Sequence, residues 1–420
     1  MSINDETTSV ESGFASMFTG EVITPGQPEY DTVREVWNGM LGKRPRLIAR
    51  CGTVEDIVSA VLASRECGIH PAVRAGGHSV AGLSTSDDVV IDLTRMGAVR
   101  VDPKARRAHV EPGATWRDFD AATAVHGLAS TGGLISSTGV AGLTLGGGGN
   151  FGIVSRFEFA LYEVSTVLGG LMLFPWERAS TVLTGFRDWV ANLPDEASML
   201  AAVMTAPPEP FVPADQVGQP VVAVVGCWCA EPDAGTRALA PMRSLGPVAD
   251  LFGPMPYPGL QRMLDEGAPS GARNYFRTGF LDALGDSTIT AIVDHGSRLR
   301  SPMSQIHLHH MGGRVGRPDD VGSAFTGRDA EFTYNLVSTW LDPAEDAIHI
   351  AANRALAADL APVTSATSYV NFVTERAATG DGGVRSAYGE TTYSRLAELK
   401  RRFDPDNIFR HNHNVLPAPR

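Results

Sequence analysis

Between positions 131 and 154 the chain reads TGGLISSTGVAGLTLGGGGNFGIV, and nine of these 24 residues are glycine. A solvated linker with this much glycine would be polar, whereas here Leu, Ile, Val and Phe are interleaved. The mixture specifies buried backbone at close quarters, which is either a tightly packed layer of loops or a main chain passing close to a flat ligand. Glycine permits both, because it lacks the Cβ that obstructs positive φ and close approach. Two nucleotide-binding patterns are excluded: no Gly-Lys-Ser/Thr follows, as a P-loop requires, and the spacing fits no dinucleotide fingerprint in a βαβ unit.

A second glycine-rich turn, RAGGHSVAG at 74–82, lies between a short strand-like run at 71–73 and a stronger one, VVIDL, at 89–93. Successive N–H groups in such a turn can converge into an anion-binding nest. Arg74 would place fixed positive charge at its edge, and His78 a nucleophilic ring nitrogen within it. The plainer reading is a turn between strands and nothing more.

The remainder of the chain divides into two textures. Up to about 163, short strands (71–73, 89–93, 107–110) alternate with helices. One helix starts at Thr53 with Asp56 three residues on, and another at Thr115 with Asp118 three residues on, both capping-box pairs. A further helix is expected over 31–40. From about 164, strands at 167–174, 221–228, 303–310 and 333–340 alternate with helices near 176–192, 234–245, 285–298 and 343–360, an antiparallel sheet with helices on one side. A helix over 384–403 and a short tail follow. A length of 420 residues is itself large for one core.

Net charge is −12, which argues against nucleic-acid or anionic-membrane surfaces; an anionic ligand would be held by local donors. The first thirteen residues are polar and acidic and do not read as a secretory signal, and no apolar run spans a bilayer. The four cysteines, Cys51, Cys67, Cys227 and Cys229, suit a reducing cytoplasm. Cys227 and Cys229 share a strand face and read as a buried thiol pair rather than a zinc site, which would need more ligands.

The glycine regions together resemble the FAD domain of the vanillyl-alcohol-oxidase (PCMH-type) superfamily, in its berberine-bridge-enzyme-like branch. The turn at 74–82 is similar to R-x-G-G-H-x-x-x-G, the run at 89–96 to V-I-D-L-S/T-x-M, EPGATW at 111–116 to x-P-G-A-T-W, and 138–148 to T-G-V-A-G-L-T-L-G-G-G. Similar matches recur at GPMPY (253–257), WLDPAED (340–346), YVNF (369–372) and the tail NIFRHNHN (407–414). The resemblance implies an α+β, two-lobe PCMH-type fold: an FAD lobe over 1–163, a substrate lobe over 164–374, and a segment over 375–420 returning to the FAD lobe. It implies FAD as cofactor, contacted by Arg74, Ala75, Gly76, Gly77, His78, Ser79, Gly82, Thr138, Gly139, Gly142, Gly147, Gly148, Val154, Asn412 and Asn414. His78 matches the histidine that many members link to the flavin 8α carbon; Ile135 stands where doubly linked members carry a cysteine.

This chain departs from the family in one large respect. After 145–148 the family continues through two strands, an acidic turn and a helix before G-G-G-G-N-F-G-I-V, whereas here the two glycine tracts are joined directly. The second FAD subdomain is therefore expected to be reduced, with 45–115 intact, and Val154 and 157–159 forming a strand directly after 143–145. Phe372 replaces a tyrosine that acts as base in the sugar-oxidising branch.

An oxidoreductase acting on a small alcohol or amine needs a proton acceptor beside the hydride donor, and Tyr369 with Asn371 is the candidate; a buried, simply satisfied tyrosine is the bland alternative. His307 and His309, alternating on one strand face, are expected to line the pocket, with Arg273, Tyr275 and Trp340 as further candidates and no metal. The expected partner is a small-molecule substrate, with oxygen receiving the electrons. The alternative is a flavin-free isomerase, cyclase or binding protein on the same scaffold. The oligomeric state is not legible.

Overall fold

A computed structural model describes residues 12–14, 16–145, 149–317, 322–374 and 382–419; Gly147 and Gly148 lie outside the described residues. The chain forms two compact units, one of residues 1–163, 264–271 and 375–420, the other of residues 164–263 and 272–374.

In the first unit, strands Leu47–Arg50, Val89–Asp92 and Ala72–Arg74 run parallel, with Glu21–Ile23 antiparallel at the Leu47–Arg50 edge. Val89–Asp92 is buried at every residue, as a central parallel strand requires. Helix Val54–Glu66 packs Ile57, Ala60 and Ala63 against it. Thr53 caps this helix through the full Thr53/Asp56 box, and Thr115/Asp118 caps Trp116–Ala124 the same way. A second sheet pairs Val99–Asp102, Arg107–Val110 and Phe157–Ala160 antiparallel over Trp116 and Phe119. Only part of the expectation for the glycine junction holds. Residues Val140–Thr144 are helical, and the strand begins at Phe157, with Val154 half-buried ahead of it and outside the strand.

The junction is tied down from the C-terminus. Lys400, on helix Glu390–Phe403, is wholly buried. Its Nζ donates to the carbonyl of Asn150 at 2.6 Å, the Asp404 carboxylate at 2.7 Å and the carbonyl of Phe409 at 2.8 Å. Asp404 also accepts the N–H groups of Ile408 and Phe409. Asn150, itself without exposed surface, donates to the His413 carbonyl and accepts from Val415 N–H. The helix expected over 384–403 is broken at Gly389, whose φ of +72° only glycine adopts easily.

The second unit is an antiparallel sheet of eight strands, ordered along its main path Ala249–Asp250, Thr166–Pro175, Pro220–Trp228, Ala197–Thr205, Gln305–His310, Phe332–Trp340 and Arg273–Leu281, with Gly253–Pro256 also on Thr166–Pro175. Ala197–Thr205 and Arg273–Leu281 were not foreseen. Helices Ala179–Val190, Asp286–Gly296 and Asp346–Leu360 bury their apolar faces with Ile306, Leu308 and Leu336 from the sheet. The opposite face therefore carries His307, His309 and Asn335, since alternate residues point apart. The cysteine pair differs from expectation: Cys227 is half-buried and Cys229 exposed, because residue 229 lies beyond the strand end. No helix among the described residues is long and apolar enough to cross a membrane.

Removing the Lys400 ammonium would leave the Asp404 carboxylate buried without its counter-ion. Lys400→Met is expected to cost about 3–5 kcal/mol, read as a lowered midpoint in denaturant unfolding.

Candidate active site

The Ala72–Arg74 strand delivers the turn at 74–82, and the sheet register fixes what becomes of Arg74. Arg74 stands opposite Asp92, and its guanidinium bonds that carboxylate through Nε at 3.3 Å and Nη2 at 2.7 Å, and the carbonyls of Val33 and Glu35. It is buried, with no charge left to present at the nest edge; it braces the turn from beneath. This corrects the expectation of a ligand-facing arginine.

Past Arg74 the backbone is available. The N–H groups of Gly76, Gly77, His78, Ser79 and Val80 donate to no acceptor among the described residues, which is what an anion nest offers. Ala75 and Ser79 are half-buried beside it, and the Ser79 hydroxyl accepts from Leu83 N–H at 3.1 Å. Gly77 and Gly82 hold φ of +65° and +74°. The two glycine regions touch main chain to main chain: a Cβ on Gly76 would lie 2.4 Å from the Gly139 Cα. Thr138 brackets this contact, its carbonyl accepting from Trp116 N–H, while Gly142 faces open space.

His78 is held by stacking on Trp37, ring centroids 4.7 Å apart and planes 18° from parallel. Trp37 is anchored in turn by its indole N–H to the Ala268 carbonyl at 3.0 Å. Burial pushes the imidazole down to about 4, against smaller opposing effects of a Gly76 backbone hydrogen bond and the Asp265 charge, so the ring is neutral at neutral pH. Its Nε2 is buried without a partner. The Gly76 bond favours the proton on the other nitrogen, which leaves the lone pair on Nε2. Asp265 accepts Ser136 N–H at 2.7 Å and the Ser136 hydroxyl at 2.6 Å, fixing the segment before Thr138. In the tail, Asn412 donates to the carbonyls of Phe409 and Gly149, and the side-chain oxygens of Asn412 and Asn414 are buried without partners. Trp37, Asp265 and Lys400 escaped sequence reasoning; a lone Trp, Asp or Lys carries no local signal.

The second unit gathers a different set. Asn371 Nδ2 donates to Tyr369 Oη at 2.8 Å. Tyr369 packs edge-on against Phe372 at 4.9 Å and Phe325 at 5.7 Å. Phe372 continues to His309 at 6.4 Å, and His309 to His307 at 5.7 Å. Burial raises the Tyr369 phenol above its ordinary range, with the Asn371 bond opposing. It lowers His309 to about 4, and, with the neighbouring His309, lowers His307 to about 3. His307 Nε2 pairs with Gln305 at 2.7 Å, whereas His309 Nε2 and Asn335 Oδ1 are buried without partners on the same sheet face. Arg273, Tyr275 and Trp340 do not join this set. Arg273 and the Trp340 indole both bond Asp346, and Tyr275 Oη accepts from Arg354. Among the described residues no three His, Cys, Asp or Glu converge as a metal site.

Residues 45–164 match the FAD binding domain family, and residues 368–416 match the berberine and berberine-like family. An FAD-linked oxidoreductase of Dictyostelium discoideum is 27% identical over 462 positions, covering 98% of this chain and 97% of its own length. The chain carries the FAD-binding and berberine-like segments of FAD-linked oxidoreductases. (R)-6-hydroxynicotine oxidase of Paenarthrobacter nicotinovorans is 26% identical, covering 95% of this chain and 97% of that protein. The crystal structure of 6-hydroxy-D-nicotine oxidase from Arthrobacter nicotinovorans superposes with a TM-score of 0.83 at 23% identity, over 96% of this chain and 98% of that one. This berberine-bridge-enzyme-like chain is thus an FAD-dependent oxidoreductase of small organic substrates, and the flavin-free alternative is not favoured. The residues present fit FAD: unpaired N–H groups for a pyrophosphate, an unpaired neutral imidazole nitrogen, and a glycine cradle open at Gly142.

Gly139→Ala would drive a Cβ to within 2.7 Å of the Gly76 Cα. The two loops must then separate, and the purified variant is expected to lose most of its visible flavin absorbance while keeping native far-UV CD.

Proposed function

We propose that the first unit is the FAD lobe and the second the substrate lobe, and that the enzyme oxidises an alcohol or amine carbon with oxygen as the final acceptor. The observation that carries this reading is the run of unpaired N–H groups at 76–80 leading to the unpaired Nε2 of His78. Bound there, FAD would supply the hydride acceptor and the route for electrons to oxygen. The nest of Gly76, Gly77 and Ser79 would hold the pyrophosphate, Thr138 to Gly142 the backbone opposite, and Asn412 and Asn414 donors on the cofactor through their free oxygens. Val154 stays within this proposed set as a wall residue. His78 would be the covalent tether, at one point only.

Tyr369 is proposed as the group that receives the substrate proton, with Asn371 orienting its oxygen. Its raised pKa keeps it a protonated phenol at neutral pH, so turnover through it should climb toward alkaline pH rather than plateau near neutrality. His309 and Asn335 present acceptor positions to the substrate. The relatives' alignments extend over 462 positions against 420 residues here, which is compatible with a segment missing from this chain; the bonds of Asn150 support a repaired glycine junction. Free cysteines support a reducing, cytoplasmic setting.

Two measurements test this. Acid-precipitated protein should remain yellow, and His78→Ala should release its flavin into the supernatant; free flavin from the unaltered protein would exclude the tether. With a substrate found by anaerobic flavin bleaching across alcohols and amines, Tyr369→Phe should lower kcat/KM by about 10²–10⁴-fold and abolish the alkaline rise. An unchanged pH profile would remove Tyr369 from the chemistry.

A further inference from the structure

The cysteine pair takes no part in the site above. Cys227 is the next-to-last residue of the strand Pro220–Trp228 and is held in the ladder opposite Gly169 and Ser198. Cys229 lies past the strand, secured by its N–H to the Glu196 carbonyl at 2.9 Å. Their sulfurs are 3.3 Å apart, Cys229 exposed and Cys227 half-buried. The other two thiols are differently placed: Cys51 is buried in the core and pushed up to about 12 by that burial, and Cys67 is half-buried. Within the pair, the hydrogen bond between the two sulfurs, in which either can donate, favours a thiolate at Cys229, lowering it below the ordinary thiol range, and with burial raises Cys227. Exposure favours the same assignment, because a thiolate at Cys229 is the better hydrated one. No third ligand stands within metal-binding reach among the described residues.

We propose that Cys229 and Cys227 form a peroxide-reactive thiol pair that closes to a reversible disulfide. The Cys229 thiolate attacks one oxygen of hydrogen peroxide; the O–O bond breaks, and the hydroxide released takes up a proton to leave as water. The resulting sulfenic acid is attacked at sulfur by Cys227; the S–O bond breaks, and a second water leaves with the Cys227 proton. Two thiols lose two electrons in total, and one peroxide becomes two waters. A dithiol reductant reverses the reaction by disulfide exchange.

Backbone geometry makes this bond labile. Residues two apart on an extended strand have Cα atoms roughly 6.4–6.8 Å apart, at the upper end of the range of about 4.4–6.8 Å that a disulfide spans. Closure asks Cys229, outside the ladder, to move inward, and a bond closed against such resistance is more readily reduced. A loop of one intervening residue constrains the unfolded chain little, so the bond acts as a modification and not as a stabilising cross-link.

The test uses the full-length protein and added hydrogen peroxide. Denatured thiol titration should fall from four free thiols to two, intact mass should fall by two hydrogens, and peptide mapping should place the bond at Cys227–Cys229, with dithiothreitol restoring all four. Cys227→Ser should accumulate a sulfenic acid trapped by dimedone at Cys229, and Cys229→Ser should leave Cys227 as a thiol. Four remaining thiols after peroxide, oxidation mapped to Cys51 or Cys67, or direct progression of the unaltered protein to a sulfinic acid without a disulfide would each overturn the proposal. Because added peroxide suffices, these outcomes are independent of the substrate and of turnover.

Discussion

One buried ammonium organises the glycine-rich half of the first unit. Lys400 has three N–H donors and places all of them, on a carboxylate and two main-chain carbonyls. That complete satisfaction, with Asp404 as neutralising partner, is what makes a charge tolerable without solvent. The geometry converts three separate chain segments into one rigid corner: the helix Glu390–Phe403, the tail beyond it, and the residue that follows the glycine tract. Asn150 extends the corner to His413 and Val415, and so brings Asn412 and Asn414 to fixed positions.

Neither set of candidate site residues relies on a formal charge. Arg74 is neutralised by Asp92, and His78, His307 and His309 are held neutral mainly by burial. A chain of net charge −12 would repel an anionic cofactor at long range, so what attracts it has to be local and directional. Main-chain N–H groups supply that without a counter-ion to carry into the interior.

What could be read in the sequence was local. The Thr53/Asp56 and Thr115/Asp118 caps declare helix starts within four residues, and the alternation of His307 and His309 with Ile306 and Leu308 declares two sheet faces. What could not be read was joined over long separations: Lys400 reaches a carbonyl 250 residues away and Trp37 one 231 residues away. Arg74 shows the limit most clearly. Its charge and its place beside two glycines point toward a ligand, but the parallel register sets Asp92 beside it, and only the paired strands reveal that the charge has been claimed. Gly389 similarly divides a pattern that is helical on both sides of it.

The first unit is assembled from residues 1–163, 264–271 and 375–420, while the second is nearly continuous between them. During synthesis the residues of the second unit therefore precede the corner around Lys400, since Lys400, Asp404 and the tail follow them in the chain. Until then Asn150 lacks the ammonium and the tail groups that hold it. The order of the sequence thus makes closure of the first unit wait on residues made after the second.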